Sequence, residues 1–250
     1  MAKPTGLQIL YETADLVAVL KPAGLASIPG RGETDSVLQQ IGRQLGLPTT
    51  GTADPRLRVV HRLDKDTSGV LLLAKALPAQ RHLSEQFQNN RVEKEYLAIV
   101  AGQPTGDDGQ VEGRLAPHPA VRTKMAVVTR GGRPALTQWR VEQRFRWMAL
   151  LRVFPRTGKT HQIRVHLAHA GMPLIVDPVY NPHGQPLMLS KIKRGYRPTA
   201  GEDERPLIAR LTLHAHRLSF TDLRGERQTV SAEPPKDFRA AVNMLSKWAR

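Results

Sequence analysis

His61-Arg62-Leu63-Asp64-Lys65-Asp66-Thr67-Ser68-Gly69-Val70-Leu71-Leu72-Leu73-Ala74 is the stretch on which the fold turns. Its first half is rich in Asp, Thr, Ser and Gly, residues that bond to their own backbone and favour turns. Its second half, Val70 to Ala74, is a short apolar run bounded by turn residues, which predicts a buried strand rather than a helix. Val59-Val60 lies on the other side. Asp64 therefore stands between two apolar segments that bury its neighbourhood, in a chain with a large excess of positive charge to pair with it. Local turn chemistry would make it an ordinary surface residue, so at this level Asp64 is a candidate and no more.

Working outward, Leu7 to Tyr11 and Leu16 to Leu20 read as short strands, with a turn at Lys21-Pro22-Ala23-Gly24. Asp35 is placed to cap a helix in which Val37, Leu38, Ile41 and Leu45 recur at helical spacing and which ends near Gly46. Pro78 to Asn89 reads as a second helix and Tyr96 to Val100 as a strand stopping at Gly102. Val111 to Arg114, Lys124 to Thr129, Ala135 to Glu142 and Ala149 to Phe154 follow as antiparallel hairpins. Thr160 to Gly171 reads as a strand passing into a helix, Asn181 to Pro206 as a loop, Leu207 to Phe220 as a strand pair and Asp237 to Trp248 as a terminal helix. The loop carries a basic run (Lys191, Lys193, Arg194, Arg197) and then an acidic one (Glu202, Asp203, Glu204). No repeat or linker interrupts this order. The expectation is one α+β domain over residues 1–250, a mixed, largely antiparallel sheet with flanking helices.

Composition narrows the function classes. With 40% hydrophobic residues among 250 the chain is globular, and no apolar run approaches the ~20 residues of a membrane span. The start, MAKPTGLQILYE, lacks a signal peptide's basic and apolar regions. The chain has no cysteine, which excludes disulfides, thiolate metal sites and a cysteine nucleophile. A cytoplasmic protein is the simplest expectation. The formal net charge is +15, and the sequence pI is about 10.7. From Arg114 to Arg164 there are twelve bases and one acid, Glu142. Such a block suits a polyanion, because Lys and Arg contacts to phosphate supply most sequence-independent affinity for nucleic acid. A highly charged soluble surface is the plainer alternative. Aromatic residues, at 5%, are too few for a long single-strand platform, so structured nucleic acid gripped by its backbone fits better.

Several motifs fail on spacing. Arg156-Thr157-Gly158-Lys159-Thr160 resembles the end of a phosphate-binding loop, but that loop needs a glycine where Val153 stands. His161, His166 and His169 lack the i, i+4 spacing of a helical zinc pair and have no carboxylate to complete a set. His61, Asp64 and Ser68 come without the Gly-x-Ser-x-Gly elbow of a hydrolase. Ser68 reads as a turn former and His61 as a residue fixing the backbone before Asp64.

The quoted stretch, extended to Lys75, resembles the catalytic motif of RluA-type RNA pseudouridine synthases. Lys21-Pro22-Ala23-Gly24-Leu25 is similar to the family's first strand-and-turn block, and Lys94-Glu95-Tyr96 to its lysine-x-tyrosine segment. Arg156 to His166 resembles its third block. Asp177-Pro178-Val179-Tyr180 and Leu213-His214-Ala215 follow in family order. Ordered blocks are far more specific than any one of them alone. Two departures bear on loop shape and target choice: Val176 stands where a small residue is usual, and the segment after Tyr180 is long and charged. The resemblance also implies a chain that begins with its catalytic part, without a separate N-terminal RNA-binding module.

The resemblance implies an isomerase that turns a uridine of ribosomal or transfer RNA into pseudouridine, exchanging the N1–C1′ bond for C5–C1′. It implies no cofactor, no metal, no membrane partner and a monomer. It assigns Asp64 as the catalytic carboxylate, acting either as nucleophile or as base at C2′, and Arg164 as its ion-pair partner. Tyr96 would stack on the target base and Ile163 pack against it. Arg62 would enter the RNA where the base leaves, with His61 and Lys159 also on the substrate side. The base must leave its helix to react, at a cost of a few kcal/mol that the basic block would offset. Two rivals stand beside this reading. A non-catalytic RNA-binding protein explains the charge but not the ordered blocks, and a metal-dependent nuclease lacks a carboxylate cluster.

Overall fold

A computed structural model describes residues 6–30, 35–121, 123–198 and 203–249. Glu202 of the acidic run, Arg122 of the basic block and the first five residues lie outside them. Along the chain come β1 (Ile9–Glu12), β2 (Leu16–Lys21), α1 (Val37–Leu45), β3 (Arg58–Val59), β4 (Ser68–Ala74) and α2 (Leu77–Gln88). Next are β5 (Glu93–Ala101), β6 (Asp108–Pro117), β7 (Met125–Val128), β8 (Arg133–Arg144), β9 (Met148–Pro155), α3 (Gln162–His169) and α4 (Leu189–Ile192). The chain closes with β10 (Leu213–Thr221), β11 (Arg227–Ser231) and α5 (Lys236–Trp248). The content is α+β, with every strand pair for which a register is resolved antiparallel. No helix among the described residues is long and apolar enough to cross a membrane.

Two compact units emerge. The first comprises residues 1–94 and 215–233. Its strands run in the order β1-β2-β4-β10, with β3 also on β4 and β11 on β10. All of β4 is buried, which explains why its sequence is a continuous apolar run and not an alternation. Val70, Leu72 and Ala74 pack with Ala79 and Leu83 of α2 and with Leu218 and Phe220. Each fully buried Val, Leu or Phe side chain there contributes roughly 1.5–3 kcal/mol. α1 begins on Ser36, whose hydroxyl accepts from Gln39 N–H, and ends on Gly46, whose φ of 65° closes the C-terminal cap. The expected cap, Asp35, lies one residue further out; its carboxylate instead accepts from Gln40 and Arg43 one and two turns along.

The second unit comprises residues 95–214 and 234–250, with strand order β5-β9-β8-β6-β7. Leu97, Ile99, Met148 and Leu150 face Phe238, Ala241 and Leu245 of α5. The alternate residues Ala98, Val100, Ala149 and Leu151 face Ile163 and Leu167 of α3. Successive strand residues point to opposite faces, so α3 and α5 cover the two sides of the β5–β9 pair.

Three expectations shift. Residues 160 and 161 form no strand: His161 adopts a left-handed backbone (φ 54°) and turns the chain straight into α3. The expected pair in 207–220 is one strand, β10, whose hairpin partner β11 lies beyond the turn at Asp222 to Gly225. The presumed loop after Asn181 contains the single turn α4, seated by Ile192 and Leu189 on the α5 core.

Candidate active site

Asp64 sits at intermediate exposure in the loop joining β3 to β4, and that loop is fastened from several sides. Lys21, at the end of β2, has no exposed surface. Its ammonium donates to the carbonyls of Pro22 at 2.9 Å, Lys65 at 2.7 Å and Thr67 at 2.7 Å. A buried lysine charge is tolerable only with such partners, and here they are the backbone on both flanks of Asp66. Ser27 closes a two-way bond with Leu63, its hydroxyl donating to the carbonyl at 2.9 Å and accepting from the amide at 3.1 Å. Gly24 N–H donates to Lys65 O at 2.9 Å, and Thr67 N–H to Asp64 O at 3.1 Å. The turn at Lys21-Pro22-Ala23-Gly24 thus acts as a cradle for the Asp64 loop.

His61 and Gly69 secure the loop's ends. His61 Nε2 accepts from Leu72 N–H at 3.0 Å, and its ring stacks on Phe87 with centroids 4.5 Å apart. Burial, reinforced by the charge of Lys94, pushes the imidazole down to about 3, so it stays a neutral acceptor. This is a scaffold's role. Gly69 has φ +126°, and a Cβ there would come within 2.1 Å of the Ala215 carbonyl oxygen. Only glycine satisfies both conditions. Arg62 is exposed beside Asp64.

Tyr96, Lys159, Ile163 and Arg164 belong to the second unit. Tyr96 lies opposite Val153 in the β5–β9 register and packs at the edge of the cluster that contains Ile163. Gln162, at the start of α3, braces the block. Its carbonyl accepts from Thr157 Oγ1 at 2.8 Å and Lys159 N–H at 3.0 Å, and its amide donates to Leu136 O and Thr137 Oγ1, both at 3.0 Å. The side chain of Lys159 is half-buried.

Arg164 is buried and forks onto Asp177: Nε to Oδ2 and Nη2 to Oδ1, each at 2.8 Å. Asp177 Oδ1 also accepts from the amides of Val179 and Tyr180 at 2.9 and 3.1 Å. The guanidinium lies 5.1 Å from the Tyr180 ring centre, and Lys124 Nζ lies 5.4 Å from it. Tyr180 in turn is anchored at its hydroxyl, which accepts from Met125 N–H at 2.8 Å and bonds His161 Nδ1 at 3.0 Å. Lys21, Ser27, Gln162, Asp177 and Tyr180 were given no individual role by sequence reasoning. For all but Ser27 the signal was membership of the ordered blocks, above all a lysine placed directly after an apolar strand; Ser27 lies two residues beyond the first block and carried none.

The basic block is partly consumed by the fold. Arg152 pairs with Glu142 and Glu95, Arg144 with Asp107, and Arg114 with the carbonyls of Gly131 and Gly132. Arg130, Arg133 and Arg140 are exposed and available to a polyanion.

The sequence model for RNA pseudouridylate synthase matches residues 15–169, a span that contains Asp64, Tyr96 and Arg164. The ribosomal large subunit pseudouridine synthase D of Neisseria meningitidis is 38% identical over 97% of this chain, which spans 62% of that relative's length. Its counterpart from Xanthomonas campestris is 38% identical over 96% of this chain and 69% of its own. Among solved structures, human RNA pseudouridylate synthase domain containing 4 superposes with a TM-score of 0.71 at 25% identity, covering 96% of this chain and 93% of that one. The pinned aspartate loop, the arginine forked on α3 and these matches, over most of the residues, lead to one assignment: this chain belongs to the RNA pseudouridylate synthase family.

Proposed function

We propose that the chain isomerises specific uridines of structured RNA to pseudouridine, with Asp64 as the catalytic carboxylate. The observation that carries this reading is the fastening of the Asp64 loop by Lys21 and Ser27, both buried. A surface turn has no need of a buried ammonium ion. A carboxylate that must meet one ribose in one orientation does, since misplacement by about 1 Å can cost two orders of magnitude in rate.

In the reaction the N1–C1′ bond breaks, the base turns within the site, C5 bonds to C1′, and the proton on C5 is lost as N1 gains one. Nothing is oxidised or hydrolysed, so no cofactor enters. Asp64 acts at the ribose or at C2′, and Arg164 serves as its cationic partner. Tyr96 and Ile163 hold the base, Arg62 fills the gap it leaves, and Lys159 meets the RNA. The names of the relatives favour ribosomal RNA of the large subunit as substrate, which suits a cytoplasmic monomer whose two units work as a single catalytic domain. Mapping pseudouridines in total RNA from cells with and without the protein tests this. The expected result is loss of modification at defined ribosomal uridines in its absence; an unchanged map contradicts the proposal.

A further inference from the structure

The basic run Lys191, Lys193, Arg194, Arg197 has no part in the site described above. It lies on and after α4, which packs on α5 through Ile192 and Leu189. At the end of α5, Trp248 is 39% exposed, yet it is held: Lys193 Nζ sits 4.5 Å and Lys247 Nζ 5.1 Å from its ring centre. Lys193 also lies 5.7 Å from the ring of Tyr196. The β8–β9 turn adjoins this helix end, because Arg146 N–H donates to Ala249 O. The turn presents Trp147, 43% exposed. Two of the chain's three tryptophans therefore stand on the surface at one helix end, among lysines and arginines, in a protein with few aromatics. The nearby carboxylate of Glu204 is engaged by Ser190 N–H at 2.8 Å.

We propose that this α4–α5 end is a second RNA-binding surface, where Trp248 and Trp147 stack unpaired bases and Lys193, Lys247 and Arg146 meet the adjoining phosphates. Exposed indoles are poor choices for a surface facing only water, and an acidic protein segment would need the cations but not the rings. A single-stranded RNA segment uses both, since every base offers a π-face and every linkage a charge. α5 covers the side of the β5–β9 pair opposite α3, so this surface is separate from Arg164. It engages only an RNA long enough to extend beyond the target uridine. The inference rests on the proposed RNA substrate, and its test separates the two.

A Trp139→Phe/Trp147→Phe variant leaves Trp248 as the sole tryptophan. Titration with an oligouridylate about a dozen nucleotides long is expected to quench its fluorescence to saturation, while polyglutamate is not. Absence of quenching by RNA, or equal quenching by polyglutamate, overturns the proposal. In the Trp147→Ala/Trp248→Ala variant, affinity for long ribosomal RNA is expected to fall by about 5- to 150-fold per lost base contact. Its kcat on a saturating short stem-loop is expected to stay unchanged; retained affinity for the long RNA contradicts the proposal. Lys193→Gln/Lys247→Gln leaves the core packing alone and is expected to flatten the dependence of log affinity on log salt by about 0.7 per lost contact. An unchanged slope counts against it. Quenching without pseudouridine formation by the wild-type chain would sink the catalytic proposal alone; pseudouridine formation with a silent Trp248 would sink this one alone.

Discussion

Arg164 and Asp177 form a buried two-pronged ion pair, with both bonds at 2.8 Å and no exposed surface on Asp177. The carboxylate is saturated by the guanidinium and by two backbone amides, so it fixes the arginine in one plane and α3 to the chain that follows. Breaking such a pair from one side leaves a buried charge, at a cost of about 3–5 kcal/mol. Asp177→Ala is expected to lower stability by that amount in urea unfolding. Arg164→Lys is expected to lose most turnover, because an ammonium cannot reproduce the fork. Near-normal values for either contradict the assigned role.

Lys21 stands in the same relation to the Asp64 loop. Lys21→Met keeps the aliphatic stem but takes the ammonium away from the carbonyl of Thr67, while the Lys65 carbonyl keeps its bond from Gly24 N–H. A stranded buried acceptor costs about 1–3 kcal/mol. The variant is expected to unfold at lower urea concentration and to lose turnover more than RNA affinity. Equal losses in both would mean that the loop position does not depend on the ammonium.

Gly69 tolerates no side chain, given its φ of +126° and the Ala215 carbonyl in the place of a Cβ. Gly69→Ala is expected to abolish soluble expression or to depress Tm by many degrees, read by thermal unfolding. A wild-type Tm would refute the close approach.

His166 carries a pH prediction. It is fully buried, its Nδ1 bonds Thr137 Oγ1 at 3.0 Å, and its Nε2 is buried with no hydrogen-bond partner. Burial, with the nearby His169, lowers its pKa from 6.5 to about 4. The unfolded chain therefore binds the proton first as pH falls, and stability is lost from about pH 6.5 down towards pH 4. By pH 5 the loss from this one imidazole is about 2 kcal/mol. His61, also shifted down by burial, acts in the same direction. His166→Gln is expected to flatten the stability–pH curve over that window, measured by urea unfolding at successive pH values; an unaltered curve contradicts the assignment.

Much of this was legible in the residues themselves. The apolar run at Val70 to Ala74 and the helical spacing of Val37, Leu38 and Ile41 announced β4 and α1, because burial on a fixed period is what sequence records best. The hairpins from β6 to β9 were readable for the same reason. Ser36 rather than Asp35 caps α1 because the cap depends on which residue takes an extended backbone, and both chemistries are competent. α3 begins abruptly because His161 adopts a left-handed conformation that no composition rule assigns to histidine. β11 escaped notice since Arg-Gln-Thr-Val-Ser buries one side chain, Val230. At the site, Asp64 could be singled out, but its support by Lys21 and Ser27 is made of contacts 36 to 46 residues apart, which no local pattern encodes.

The central claim is that Asp64 is the carboxylate on which isomerisation depends. Its most direct test is single-turnover pseudouridine formation on a ribosomal RNA fragment by the wild type and by Asp64→Asn, with RNA affinity measured in parallel. The account predicts no detectable pseudouridine from the variant while its Kd stays close to that of the wild type. Turnover by Asp64→Asn at a rate near the wild-type value would contradict it.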